Sequence, residues 1–126
     1  MYEVTIIKSF SAAHLLAEIG GKCEELHGHN FKAEVTVAAL ELSSTGLLID
    51  FRIFKKWLDE ILEEIDHKHL NALSSFDGIN PSAENIAKYI YEKMELKARA
   101  ARVNVVRVKI WESENAAVSY RPEKYD

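Results

Sequence analysis

The residues best suited to chemistry lie close together near the N-terminus. His14, His27 and His29 are three of the five histidines, and Cys23, the only cysteine, falls between them. Three neutral imidazoles with an open fourth position are typical of a catalytic zinc site. Cys23 could complete a structural zinc site as a fourth ligand, or it could stay off the metal as a reactive thiolate. The cluster therefore predicts a metal centre beside a thiol.

The spacing of the histidines suits β-strands. Residues two apart in a strand project to the same side, so His27 and His29 could converge on one ion while Gly28 points away. His14 falls at the end of an earlier predicted strand, on its apolar parity. A bare His-x-His also arises by chance, and a lone cysteine is often a small buried hydrophobe. The occurrence of all four residues together favours the metal.

A carboxylate and an imidazole are adjacent at the end of the first predicted helix. Asp66 could orient His67, and the imidazole of His67 could then transfer a proton. The alternative is that His67 complements the negative end of the helix dipole. Both interpretations are open from the sequence.

Three further residues could contact a ligand. Glu112 falls on the core-facing parity of a late strand, where an unpaired carboxylate is costly to bury. A ligand with two N–H donors, such as an aminopyrimidinone ring, would satisfy it, whereas a strand that ended at Trp111 would leave it solvated. Ser82 and Glu84 are first of all a helix N-cap and a first-turn acid, so a ligand role for them is secondary.

Hydrophobic periodicity predicts one α+β domain over residues 1–126, in the order β-β-β-α-α-β-β. Asp50 and Ser82 are expected to cap the two helices. Alternation on the long strands predicts a sheet with one buried face, covered by both helices. The predicted strands cover residues 2–14, 27–42, 47–49, 103–112 and 116–121, and the predicted helices cover residues 51–65 and 83–98.

Composition excludes several classes of partner. The net charge of -4, the pI near 5.7 and the lack of any run of Lys and Arg argue against a nucleic-acid partner. No apolar run approaches the roughly 18 residues of a membrane span. A single cysteine cannot form an intrachain disulfide, which suits a reducing cytoplasm.

Six motifs occur together and in order along the chain. The motifs are F-x-A-A-H at 10–14, C-x-x-x-H-G-H-N at 23–30, G-x-x-x-D-F at 46–51, D-H-x-x-L-N at 66–71, N-P-[ST]-x-E-N at 80–85 and a late strand that ends in Glu112. This set covers nearly the whole sequence, and it resembles the 6-pyruvoyltetrahydropterin synthase and 6-carboxytetrahydropterin synthase family.

The resemblance implies a tunnelling fold, in which a four-stranded antiparallel sheet carries two helices on one face. Three subunits would close a β-barrel, and two trimers would stack into a homo-hexamer with active sites between subunits. It also implies zinc at His14, His27 and His29, with Cys23 as the base or acid of the reaction. Asp66 and His67 would form a proton relay.

The same resemblance implies a pterin substrate, 7,8-dihydroneopterin triphosphate, whose ring Glu112 would anchor. The expected activity is that of a zinc-dependent lyase that forms 6-carboxy-5,6,7,8-tetrahydropterin in the queuosine pathway. Glu24, directly after Cys23, departs from the common pattern, since some similar proteins use a glutamate near zinc to form 6-hydroxymethyldihydropterin. Formation of 6-pyruvoyltetrahydropterin and a non-catalytic pterin-binding oligomer are further alternatives.

Overall fold

The computed structural model describes residues 1–123, apart from the side chain of Cys23. Within this range the chain forms one five-stranded sheet and two α-helices. The strands are β1 Tyr2–His14, β2 His27–Ala39, β3 Lys68–His69, β4 Asn104–Ser113 and β5 Ala116–Tyr120, and the helices are α1 Phe51–Glu63 and α2 Ala83–Ala100. The predicted α+β class is confirmed.

The sheet has the strand order β3-β1-β2-β4-β5. β1 and β2 form an antiparallel pair along their whole length, from Tyr2 opposite Ala39 to His14 opposite His27. β4 and β5 extend the antiparallel sheet on the other side of β2. The fifth strand, β3, was not predicted, because two residues that run parallel to β1 are too few to show a periodicity.

The predicted third strand over residues 47–49 is wrong. Residues 40–50 form an irregular connection with a turn, in which Gly46 N–H donates to the Ser43 carbonyl at 2.9 Å. A hairpin strand after β2 would need a free edge, but β2 is already paired with β1 on one side and with β4 on the other. The connection instead leads to Asp50, which caps α1 by accepting from Arg52 N–H at 2.8 Å.

Both helices cover one face of the sheet, as expected. The alternate residues of β1 and β2 that include Phe10 and Phe31 are buried, and they pack in one core with both helices. This burial of apolar surface is the main force that holds the layers together. Within residues 1–123, neither helix combines the length and apolarity that a membrane span requires. The core-facing helix residues include Phe54, Leu58, Ile61 and Leu62 on α1 and Ile86, Ile90 and Met94 on α2.

A β-bulge interrupts the alternation predicted for β4. Thr36 lies opposite Arg107, but the next residue, Val37, lies opposite Val105, so one extra residue of β4 is accommodated there. Val105 joins the core, whereas the predicted alternation placed Val106 in phase with the later core residues of β4. A second irregularity, between Trp111 and Ser113, lies next to Glu112 in the β4–β5 pairing.

Candidate metal centre and active site

Strand register brings the three N-terminal histidines together. β1 ends at His14 and β2 begins at His27, and these two residues are direct cross-strand partners. His29 lies two residues further along β2, so its side chain projects to the same face. The candidate ligand atoms of the three imidazoles all lie within 4.8 Å of one another, and the cluster could hold a metal ion.

Backbone carbonyls orient two of the imidazoles. His14 Nδ1 lies 2.7 Å from the Pro81 carbonyl oxygen, and His27 Nδ1 lies 2.8 Å from that of Glu25. Because a carbonyl oxygen only accepts, each Nδ1 carries the hydrogen, and each Nε2 presents its lone pair. Metal-ligating histidines commonly have such partners on the non-ligating nitrogen.

The buried Nε2 atom of His14 indicates that these residues fit a metal. The His14 side chain is fully buried, and its Nε2 has no hydrogen-bond partner among the described residues. A buried polar atom without a partner is costly and needs a reason. A metal ion at the centre of the three imidazoles would supply it.

The pKa of the His14 imidazole is lowered, which favours the neutral form that binds metals. Burial is the largest cause of its lowered pKa, and His27 and His29 lower the pKa further. The Pro81 carbonyl and the Glu112 carboxylate act in the opposite direction without reversing the shift.

Glu112 lies at the edge of this cluster. Its Oε1 atom is 3.8 Å from His14 Nε2, and its side chain is 37% exposed. The carboxylate is therefore neither fully buried nor fully solvated, and the β4–β5 pairing is irregular at this point. From there it could accept hydrogen bonds from a ligand bound beside a metal.

Asp66 and His67 form a pair on the other side of β1. Asp66 Oδ1 accepts from Ser11 N–H at 2.9 Å and lies 3.0 Å from His67 Nδ1. The Ser11 N–H is the largest cause of the lowered pKa of Asp66, and the imidazole of His67 lowers it further. The backbone of His67, at φ 59°, donates to the Ser11 carbonyl at 2.5 Å, so its position is fixed by β1 rather than by the end of α1.

Among the described residues, no hydrogen bond or ion pair joins the Asp66–His67 pair to the three clustered histidines. His67 lines a groove of about 440 Å³, and the lining of that groove also includes Ser11, Asn30 and the candidate ligand His29. His67 is 80% exposed and free to act on a molecule that docks there.

The remaining predicted site residues are Cys23, Glu24, Ser82 and Glu84. The Cys23 side chain is outside the described part of the chain, and Glu24 is exposed in the short 3-10 turn Gly21–Glu24 next to it. Ser82 is confirmed as the N-cap of α2, since its side chain accepts from Asn85 N–H, and Glu84 is exposed in the first turn. Ligand roles for these four residues stay predictions.

Two asparagines next to the cluster were missed by the sequence reasoning. Asn71 and Asn80 each bind both the N–H and the carbonyl of a backbone residue in the segment that follows His14. Each asparagine stands at one end of a sequence motif, and this was the only signal that could have identified it. Composition and periodicity do not reveal which backbone groups a side-chain amide will bind.

Comparison with known proteins places the chain among pterin synthases. The sequence model of the 6-pyruvoyl tetrahydropterin synthase family matches residues 3–123. A 6-carboxy-5,6,7,8-tetrahydropterin synthase from Synechocystis is 40% identical over 92 residues, which cover 69% of this chain and 70% of the relative. A dihydroneopterin monophosphate aldolase from Pyrococcus furiosus is 37% identical over 110 residues, 87% of this chain and 89% of the relative.

A solved structure shows the same fold over almost the whole chain. The 6-pyruvoyl tetrahydropterin synthase of Caenorhabditis elegans is 28% identical, with a TM-score of 0.83 and coverage of 98% of both chains. The residues that the family model matches include His14, His27 and His29. The chain belongs to the 6-pyruvoyl tetrahydropterin synthase family.

Proposed function

We propose that this protein is a zinc-dependent lyase that converts 7,8-dihydroneopterin triphosphate to 6-carboxy-5,6,7,8-tetrahydropterin, with release of triphosphate and of a two-carbon fragment of the side chain. The observation that carries the proposal is the buried Nε2 of His14, which has no hydrogen-bond partner among the described residues. The candidate ligand atoms of His14, His27 and His29 lie within 4.8 Å of one another. The similarity to the Synechocystis enzyme of that name supports the choice of product.

His14, His27 and His29 would hold the zinc ion through imidazole nitrogens. A zinc ion bound there would act as a Lewis acid on the oxygens of the substrate side chain. The three protein ligands leave a coordination position for the substrate, which a fourth ligand from Cys23 would block. Cys23 is therefore assigned to proton transfer, not to the metal.

Two groups, the thiol of Cys23 and the imidazole of His67, would transfer protons. The Cys23 thiolate would take a proton from substrate carbon, and His67, oriented by the ionised Asp66, would transfer another. Glu112 would anchor the pterin ring, since a carboxylate beside the histidines can accept two N–H bonds from an aminopyrimidinone. Glu24, Ser82 and Glu84 are assigned secondary contacts with the substrate.

The catalytic groups would be assembled between subunits of a homo-hexamer. Within the described chain no hydrogen bond or ion pair joins the Asp66–His67 pair to the histidine cluster, and the relay would act on the cluster of a neighbouring subunit. The outer edge of β1 pairs with β3 only at Ala12 and Ala13, and the outer edge of β5 has no strand beside it among the described residues. Unpaired edges favour pairing with another chain.

Turnover of the named substrate tests the proposal. The zinc-loaded protein is incubated with 7,8-dihydroneopterin triphosphate, and the products are identified by mass spectrometry. Formation of 6-carboxytetrahydropterin is expected. If neither the carboxy, the pyruvoyl nor the hydroxymethyl product forms, the protein is not an enzyme of this class.

A second candidate activity is formation of 6-hydroxymethyldihydropterin. It is favoured by Glu24, a second acid-base group beside Cys23, and by the similarity to the Pyrococcus furiosus aldolase. The same assay separates the two candidates by product mass. A Glu24→Gln variant that lost a hydroxymethyl product and retained a carboxy product would assign the two activities to different residues.

We propose that the protein acts in the cytoplasm. The single cysteine cannot form an intrachain disulfide, and a free thiolate is maintained by a reducing compartment.

A further inference from the structure

The outer edge of β1 is covered residue by residue at its metal-binding end. Ser11 uses its N–H and its carbonyl for Asp66 and His67, and Ala13 lies beside β3. Beyond the end of the strand the same pattern continues at Leu15 and Ala17, although none of the strands in residues 1–123 lies beside them. Alternate residues of an extended chain present their backbone groups to the same edge, so the segment after His14 behaves as a continuation of the strand.

Two side-chain amides make the hydrogen bonds that a neighbouring strand would otherwise make. Asn71 Oδ1 accepts from Leu15 N–H at 2.9 Å, and Asn71 Nδ2 donates to the Leu15 carbonyl at 3.0 Å. Asn80 makes the same pair with Ala17, at 2.8 Å and 3.0 Å. A carboxamide carries one acceptor and two donors, so it can imitate a peptide group, which no other side chain except Gln can do.

Asn80 is itself held firmly at the start of α2. Its carbonyl oxygen accepts from Asn85 Nδ2 at 2.7 Å, and the next residue, Pro81, accepts from His14 Nδ1 at 2.7 Å. Ser82 then caps the helix. The segment 80–82 therefore joins three structures: the helix, the imidazole of a metal ligand and the backbone at Ala17.

The chain that follows Ala17 has few contacts of its own. Residues 18–26 are exposed wherever the structure describes them, and this stretch passes through positive φ at Glu18 (66°), Gly20 (84°) and Gly21 (66°). Segments with little buried surface open easily unless their ends are fixed. The loop that carries Cys23 and Glu24 is thus anchored at its entry by Asn80 and at its exit by the bond from His27 to the Glu25 carbonyl.

We propose that Asn80 is a positioning residue, whose carboxamide fixes the entry of the 18–26 loop and so places Cys23 beside the metal centre. Asn71 has the same chemistry one step earlier, at Leu15, where it stabilises the backbone next to the ligand His14. The two amides therefore serve different parts of one site. The consequence for turnover rests on the proposed function, whereas the consequences for the thiol and for zinc do not.

The test compares Asn80→Ala with Asn71→Ala, since each removes one amide and two hydrogen bonds from the same edge. Four quantities are measured well below the unfolding temperature: zinc affinity, the rate at which a thiol reagent labels Cys23, and kcat and KM with 7,8-dihydroneopterin triphosphate. Because Cys23 is the only cysteine, the labelling rate reports on this loop alone. Ser43→Ala is the control, because it removes side-chain hydrogen bonds from an exposed turn beyond the far end of β2.

For Asn80→Ala we expect a labelling rate changed by about fivefold or more, zinc affinity within about threefold of the original, and kcat lowered at least tenfold with a smaller change in KM. For Asn71→Ala we expect zinc affinity lowered by about tenfold, as for other partners behind a metal ligand. Asn80→Asp keeps the size and the acceptor for Ala17 N–H but loses the donor. It should give an intermediate labelling rate, and it replaces Asn80→Ala if that variant does not fold.

The proposal is overturned if the Asn80 variants label Cys23 at the original rate and differ from Ser43→Ala only in melting temperature. It is also overturned if both asparagine variants change zinc affinity equally and the labelling rate not at all. Absence of turnover in the original protein would refute the proposed function, but the labelling and zinc measurements would still decide the role of Asn80.

Discussion

The two halves of the candidate site are built in different ways. The three histidines lie on β1 and β2, where a continuous antiparallel register fixes which residues meet. Cys23 and Glu24 lie on an exposed loop that is held mainly at its two ends. A metal centre needs ligand atoms at fixed distances, which paired strands provide. A group that takes a proton needs access to substrate, which a loop allows.

This contrast has a consequence for mutations. Removal of a ligand should destroy the metal centre, because only two imidazoles would remain to bind the ion. Changes in the loop and in the relay should reduce turnover and leave the metal in place.

His29→Ala should abolish zinc binding at equimolar metal. Loss of a direct ligand is expected to cost more than the 10–100-fold that loss of a supporting partner costs. Zinc content after dialysis is the measurement. His69→Ala, an exposed histidine of β3, is the matched control and should keep one zinc per chain. Equal zinc loss in both variants would contradict the assignment of the ligands.

Cys23→Ala and His67→Ala should each lower turnover by about 10²–10⁴-fold, as expected for general acid–base groups. Because Cys23 and His67 would serve one site from two subunits, mixed oligomers of the two variants should regain part of the activity. Turnover after joint unfolding and refolding is the measurement. If each mixture stays as inactive as its parents, the relay and the thiol do not meet across a subunit boundary.

Glu112→Gln should raise KM for the pterin substrate by about tenfold or more, with zinc content unchanged. A hydrogen bond to a charged group contributes about 1.5–3 kcal/mol, against about 0.5–1.5 kcal/mol for one between neutral groups, so loss of the charge weakens binding of the ring. Steady-state kinetics and metal analysis on one preparation measure both effects. An unchanged KM would place the pterin ring elsewhere.

Asp66→Asn should lower the melting temperature by a few degrees at pH 7, and the difference should shrink in acid. The pKa of Asp66 is lowered in the folded chain, so its carboxylate stabilises the fold above the ordinary Asp value of about 3.9. That stabilisation is lost as the pH falls through the lowered folded pKa. Thermal unfolding at pH 7 and at pH 3 measures it. A larger difference in melting temperature at pH 3 than at pH 7 would contradict a lowered pKa of Asp66.

The sequence predicted the site best where alternation is regular. His14, His27 and His29 could be placed on one face because strand geometry fixes side-chain direction over short distances. The helices were predicted for the same reason, from the spacing of residues such as Phe54 and Leu58.

Features that depend on distant backbone could not be predicted. The position of His67 beside β1 depends on its backbone hydrogen bond to Ser11, 56 positions earlier in the chain. It also depends on a positive φ at His67, which no pattern in the sequence predicts. The strand expected at residues 47–49 failed because both edges of β2 were already occupied, which depends on the whole sheet. Likewise, the bulge at Val105 arises from pairing and leaves no local pattern.

The central claim is that zinc is held by histidines alone and that Cys23 acts beside it. The most direct test is to measure zinc content and turnover of 7,8-dihydroneopterin triphosphate in the same samples of the original protein and of Cys23→Ala. The claim predicts one zinc per chain in both samples, with 6-carboxytetrahydropterin formed only by the original protein. Loss of zinc from Cys23→Ala, or undiminished turnover by it, would contradict the account.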